Sequence, residues 1–239
     1  MTRMPRSHER CTYCGEAADT KDHVIPKSFF NKEIRTSTSS PSMVLVPSCR
    51  QCNNFFSKHE KDARPELLMA GPTNDAVRSL FFGNVVRDLS RPEGRGSLMR
   101  LYAKLRPVTL DGCLRMEIVP HLSVDVTFVL RKIIRGLSRH HGLIWPVPDT
   151  GVDVHPMNID LPDALVDALE HHVCDPSVFR YGFCVTPLDD LHSVWRITFY
   201  GTRTFLGAIR RNSSGVGVVN TGDSLTLKEA TTSRDSATS

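Results

Sequence analysis

Two Cys-x-x-Cys pairs, Cys11/Cys14 and Cys49/Cys52, lie in the first quarter of this 239-residue chain, and they constrain its fold more than any other feature. A Cys-x-x-Cys turn brings two thiolates together, and two such turns complete a tetrahedral four-sulfur site for Zn²⁺. The stretch from Cys14 to Cys49 is longer than the gap in a short zinc ribbon, so a subdomain is inserted between the knuckles. Residues 1–63 contain little else from which to build a core, and a segment of that size rarely folds without a staple. Structural zinc contributes about 10–16 kcal/mol to folding in comparable peptides. A closed four-cysteine site leaves no coordination position for a substrate, so the expected role is structural. Gly15, next to Cys14, suits the turn of a knuckle. The alternative is a redox dithiol pair, although no thioredoxin-like βαβ pattern surrounds it.

The remaining cysteines, Cys113, Cys174 and Cys184, stand among apolar neighbours and read as core residues. An odd total of seven argues against a disulfide framework. The N-terminal MTRMPRSHERCTYC lacks the apolar stretch of a secretory signal, and no apolar run reaches the length of a membrane span. The expectation is a soluble, cytoplasmic protein with no membrane partner.

Between the knuckles, Asp22 to Ile25 and Met43 to Val46 read as two short strands, each followed by a proline. Residues 31–42 read as the loop between them, and residues 50–62 as a helix. A further helical region runs from about 64 to 90 with Asn74 as an N-cap, followed by a break at 90–97. Leu114 to Val119 is a candidate strand. Ser123 opens the clearest helix, with Val126, Val129, Leu130, Ile133, Ile134 and Leu137 at three- and four-residue spacing. Its other face holds Arg131, Lys132, Arg135 and Arg139, either a second basic surface or an ordinary solvated face. Another helix is expected from Asp160, with Pro162 in its first turn, burying Leu165, Val166 and Leu169. Residues 178–186, 193–200 and 204–210 have the β-branched and aromatic content of a strand meander. Trp145 and Trp195 read as core. His140-His141 and His171-His172 are adjacent pairs without helical ligand spacing, and read as exposed or capping.

These elements give an α+β chain: a zinc-stapled ββα module over 1–63, a helical linker leading into an α+β accessory domain with a small antiparallel sheet over 64–211, and a disordered tail over 212–239. The net charge is only +4, but basic residues are in excess over the first 141 positions and acidic ones over the rest. Such an asymmetry lets one side of a molecule face a polyanion. The acidic C-terminal half is suited instead to scaffolding, a protein partner or homodimerisation.

The run CTYCGEAADTKDHVIPKSFF, followed after a gap by VLVPSCRQCNN, resembles the HNH endonucleases of the His-Me finger group, in the branch with a four-cysteine zinc site. The resemblance covers residues 9–62 and rests on knuckle, Asp-His-x-x-Pro and Cys-x-x-Cys-Asn occurring together and in order. It implies a ββα-metal fold and hydrolysis of phosphodiester bonds in nucleic acid, DNA above all. It further implies that His23 is the general base and that Asp22 and Asn53 hold one catalytic Mg²⁺ or Mn²⁺. A neutral imidazole accepts a proton from water at neutral pH, and carboxylate and amide oxygens suit a hard cation. The family's middle asparagine falls on Val44 here, so that either Ser40 or Ser42 replaces it or the loop is held differently. His59, about two turns along the helix, is an alternative final ligand or a solvated surface histidine, and Asn54 has a weaker claim. Lys27, Arg50 and Lys58 are the first candidates for phosphate contacts. The alternative function is a non-catalytic zinc module that binds nucleic acid or a protein partner, with Asp22 and His23 merely orienting a loop.

Overall fold

Strand β1 (Thr20–His23) pairs antiparallel with β2 (Leu45–Ser48), setting Asp22 opposite Val46 and His23 opposite Leu45. The computed structural model describes residues 9–36, 43–70, 74–110, 112–118, 122–157 and 161–211. Both strands are displaced by two residues from their expected positions, in opposite directions along the chain. Pro47 consequently lies inside β2, where a two-stranded ribbon tolerates a missing donor. The connection between them is not all loop: Asn31 caps a short helix α1 (Lys32–Thr36), its Oδ1 accepting from Ile34 N at 2.7 Å. Ser40 and Ser42 lie outside the described residues.

Directly after β2 comes α2 (Arg50–Met69), longer than expected because it continues through the buried Pro65. Its N-cap is Cys49, whose sulfur accepts from Cys52 N, while Asp19 Oδ1 accepts from Arg50 N at 2.7 Å. The two strands expected between the cysteine pairs and the helix expected after them are therefore present, with α1 added between the strands.

Asn74 caps α3 (Asp75–Leu80) as expected, and its Nδ2 also donates to the carbonyls of Ser177 and Tyr200 at 3.0 and 3.1 Å. A π-helical turn over Phe81–Val85 joins it to α4 (Val86–Leu89). After a tight turn at Pro92–Gly94 come α5 (Arg95–Lys104) and the hairpin of β3 (Leu105–Leu110) with β4 (Cys113–Ile118). The expected strand at 114–119 is β4, and its partner β3 is hidden in the sequence by Pro107.

Helix α6 (Val124–His140) begins at the predicted cap, Ser123, and its six periodic apolar residues are all buried. Next come β5 (Val152–Pro156), α7 (Asp163–Asp167), β6 (Glu170–Asp175), β7 (Phe179–Val185), β8 (Leu191–Phe199) and β9 (Arg203–Arg210). The last five strands form one antiparallel sheet in the order β5-β9-β8-β7-β6. The expected meander is its centre, and β5 and β6 are its edges. Helix α7 is shorter than expected and buries none of its residues, although Leu169 just beyond it is buried. Asp160 and the tail from 212 onward lie outside the described residues. Among the described residues, no helix is long and apolar enough to cross a membrane.

One contiguous hydrophobic cluster runs from Cys11 and Tyr13 through Phe29, Phe56 and Leu67 to Ile133, Trp195 and Ile209. Helix α6 is at its centre. Gly136 faces Val24 beside the ββα unit, and Ile134 faces Gly207 of the sheet. With neighbours on both sides, α6 has no basic surface of the kind the sequence invites: Lys132 is 0% exposed and Arg135 5%.

Candidate metal centre and the Asp-His strand

The first knuckle turns at Gly15, whose φ of +79° is readily reached by a residue without Cβ. The second is the N-terminal turn of α2. Pairing of β1 with β2 brings the two turns together, and the four sulfurs of Cys11, Cys14, Cys49 and Cys52 lie within 4.8 Å of one another. Sulfurs on a zinc tetrahedron, with bonds of about 2.3 Å, sit about 3.8 Å apart. Cys14 Sγ and Cys49 Sγ are 3.6 Å apart, a metal-site spacing and far too long for a disulfide.

Backbone amides point at two of the sulfurs: Tyr13 N to Cys11 Sγ and Cys52 N to Cys49 Sγ, both at 3.4 Å. Burial disfavours the Cys11 thiolate, but amides of Cys49, Cys14 and Tyr13 outweigh it and bring the thiol down to about 7. Burial and the neighbouring thiols push Cys52 well up. The Cys11 thiolate is thus favoured while Cys14 and Cys52 resist ionisation, an imbalance that a divalent cation resolves. The donor set, spacing and amide bonds fit structural zinc. Of the other cysteines, Cys174 and Cys184 are half-buried rather than fully in the core, and the Cys113 side chain lies outside what is described.

The knuckle is held from outside by α6 and the loop after it. Trp145 Nε1 donates to Thr12 O at 3.0 Å, and Arg135 donates to the carbonyls of Tyr13 and Val147. Arg139 lies over the Trp145 ring at 3.9 Å, so Trp145 is a half-buried clasp rather than a core residue. Trp195, by contrast, is fully buried.

On β1, Asp22 and His23 point to opposite sides, as strand geometry requires. Asp22 is buried, and its Oδ2 accepts from Tyr13 Oη at 2.6 Å and pairs with Lys132 Nζ at 2.9 Å. The same ammonium donates to Glu60 Oε1 at 2.6 Å and to His23 O at 2.8 Å, so two carboxylates and a carbonyl surround it. Burial pushes the Glu60 carboxyl up and Lys132 pulls it back. Burial and the Asp22 charge hold Tyr13 as a neutral phenol. Asp22 Oδ1 makes no hydrogen bond to a described residue, leaving one carboxylate oxygen for another ligand.

The imidazole of His23 is half-buried and makes no hydrogen bond to a described residue. Burial, and then the Lys27 charge, lower its pKa below the ordinary 6.5, so the ring is neutral at pH 7. The helix residue linked to Asp22 is Glu60, through Lys132. Asn53 lies two turns nearer the N-terminus of α2, with Phe56 packed on Tyr13 between them, and makes no side-chain hydrogen bond to a described residue. His59 is half-buried rather than a solvated surface residue. Its Nδ1 is 2.8 Å from Asp125 Oδ1, and its ring packs on Phe55 and Phe128. Lys27, Arg50 and Lys58 are exposed, Arg50 beside Asp19 at 3.7 Å.

Lys132, Glu60 and Tyr13 are the members of this network that the sequence reading misses. The signal was available in α6: Asp125, Phe128, Lys132 and Arg135 recur at three- and four-residue spacing, a second stripe carrying both charge signs and a phenylalanine. Such a stripe faces a neighbour more readily than water. Comparison with protein-family models, with curated proteins and with solved structures finds no match to this chain.

Proposed function

We propose that this chain is a zinc-stapled, metal-dependent endonuclease that hydrolyses phosphodiester bonds in nucleic acid, with DNA as the first substrate to test. The observation that carries the reading is the β1–β2–α2 unit. Four thiols gather at its two turns, and a neutral imidazole without a partner among the described residues stands at the end of β1, next in sequence to a carboxylate whose Oδ1 makes no hydrogen bond to a described residue, the two side chains leaving the strand on opposite sides. His23 takes the proton from the attacking water. Asp22 Oδ1 and the Asn53 amide are the candidate ligands of a Mg²⁺ or Mn²⁺ ion, which when bound neutralises charge on the scissile phosphate. Lys132 and Tyr13 fix the Asp22 carboxylate, and the exposed Lys27, Arg50 and Lys58 supply backbone phosphate contacts.

A second reading, a non-catalytic zinc module that binds nucleic acid or a protein, is favoured by one observation. Asp22 Oδ2 is already taken by Lys132 and Tyr13, and Asn53 stands outside that network. Supercoiled plasmid distinguishes the two. Zinc-loaded protein is expected to nick it only when Mg²⁺ or Mn²⁺ is added, and His23→Ala to lose about 10²–10⁴-fold in rate with zinc content and melting temperature unchanged. Equal cleavage by His23→Ala and the parent removes the catalytic assignment. Binding without cleavage supports the second reading.

A further inference from the structure

The sheet face turned toward α6 is largely aromatic and aliphatic, with Tyr181, Phe183, Trp195 and Ile197 all buried. Edge strand β6 departs from this pattern. Glu170 and His172, two residues apart and therefore on one face, stand opposite Phe183 and Tyr181 in the register. Onto the same spot comes His141, the C-cap of α6. Its ring centroid is 4.8 Å from that of His172, and its Nε2 is 2.9 Å from Tyr181 Oη. Of the two histidine pairs expected to be exposed or capping, His140 and His171 are exposed, while His141 and His172 are half-buried and face each other.

We propose that His141, Glu170 and His172 form a second metal site, independent of the four cysteines and of the nuclease reading, for a divalent transition ion of the zinc class. One ligand atom from each residue falls within 4.8 Å of the others, and His172 Nε2 is 2.9 Å from Glu170 Oε1. Ligand atoms on a tetrahedral zinc, with bonds of about 2.0–2.1 Å, are about 3.3 Å apart. One pair is 2.9 Å apart and none exceeds 4.8 Å, so small side-chain rotations close the site. Two imidazoles and a carboxylate select zinc, cobalt, nickel or copper over magnesium or calcium. Three protein ligands leave a fourth position open to solvent. Two surrounding features favour a cation here: the negative end of the 17-residue α6 dipole, and the Tyr181 hydroxyl, which fixes the orientation of the His141 ring.

The rival explanation is edge protection, in which inward-pointing polar groups discourage strand addition and no ion is needed. Full-length protein carrying one zinc per chain on its cysteines separates the two when titrated with ZnCl₂ and, in parallel, with CoCl₂. A second equivalent is expected to bind, and both His172→Ala and the conservative Glu170→Gln, on an exposed side chain, to weaken it by roughly tenfold or more. The cysteine-bound zinc and the circular dichroism spectrum should be unchanged. Bound cobalt is expected to give the weak visible bands of a nitrogen and oxygen site, distinct from the intense thiolate bands of a four-sulfur one. Absence of a second equivalent at 100 µM free metal overturns the proposal. So does a second equivalent that both variants retain, since the ion then binds elsewhere.

Discussion

Lys132 has an ammonium with no solvent exposure, donating to His23 O on β1 and to Glu60 Oε1 on α2 and paired as an ion with Asp22 Oδ2 on β1. A buried ion pair contributes little relative to a well-packed apolar substitute, but removing one partner leaves the other charge uncompensated and costs about 3–5 kcal/mol. Lys132→Met keeps most of the side-chain volume and leaves two carboxylates facing each other out of water. It is therefore expected to destabilise the protein by about 3–5 kcal/mol in urea unfolding. Adding Asp22→Asn and Glu60→Gln to that variant should recover more than half of the loss, because the burden is charge and not shape. If the triple variant is no more stable than Lys132→Met, packing and not electrostatics governs the site. The same network explains how His23 is placed: Lys132 binds its carbonyl while the imidazole is left free of hydrogen bonds to described residues.

Helix α6 carries that lysine because it is clasped on two sides, and Gly136 is where it meets the β1 side closely. A Cβ there would come within 2.7 and 2.8 Å of the two γ-carbons of Val24 and 3.2 Å of its Cβ. Alanine for glycine gains up to about 1 kcal/mol of helix propensity on an open surface. Against a β-branched neighbour of fixed rotamer, overpacking costs about 1–3 kcal/mol. Gly136→Ala should therefore lower the melting temperature, and the same substitution made in a Val24→Ala background should be neutral or stabilising. A loss of equal size in both backgrounds would mean that the contact is not the cause. This double-sided packing also marks the boundary of what could be read from residues alone. The ββα order, the Ser123 and Asn74 caps and the apolar stripe of α6 are set by local chemistry: thiol spacing, capping oxygens and 3.6-residue periodicity. The burial of Lys132 and Arg135 is not local. Glu60 and Asp22, which face Lys132, and Tyr13, whose carbonyl accepts from Arg135, lie more than 70 positions away in the chain, so a charged stripe reads as a wet one. Strands β3 and β6 were missed for related reasons. One contains a proline, and the other, Glu170 to Asp175, is rich in charge and histidine because it is an edge.

Across the described residues, the hydrophobic cluster does not stop at residue 63, where composition suggests a boundary, and the four-cysteine knuckle is tied to elements far from it in sequence. Trp145 holds the carbonyl of Thr12, and Arg135, itself paired with Asp149, holds that of Tyr13. Loss of the metal would leave four thiols crowded together and release the turn that presents both carbonyls. Arg135 and Trp145 would then lose buried acceptors, and the N-terminal turn of α2 would lose the sulfur that caps it. The damage therefore reaches α6 and, through α6, the sheet. Stripping the cysteine-bound metal with a strong chelator under reducing conditions, or replacing Cys49 with Ser, is expected to lower the melting temperature by more than about 10 °C. Unfolding should still be a single transition when followed by both far-ultraviolet circular dichroism and, in a Trp145→Phe background, Trp195 fluorescence. An independently folding zinc module would behave differently, losing its own small transition while the signal from the buried Trp195 kept its original midpoint. Coincident or separate movement of the two probes decides whether the metal staples one end of the chain or the whole fold.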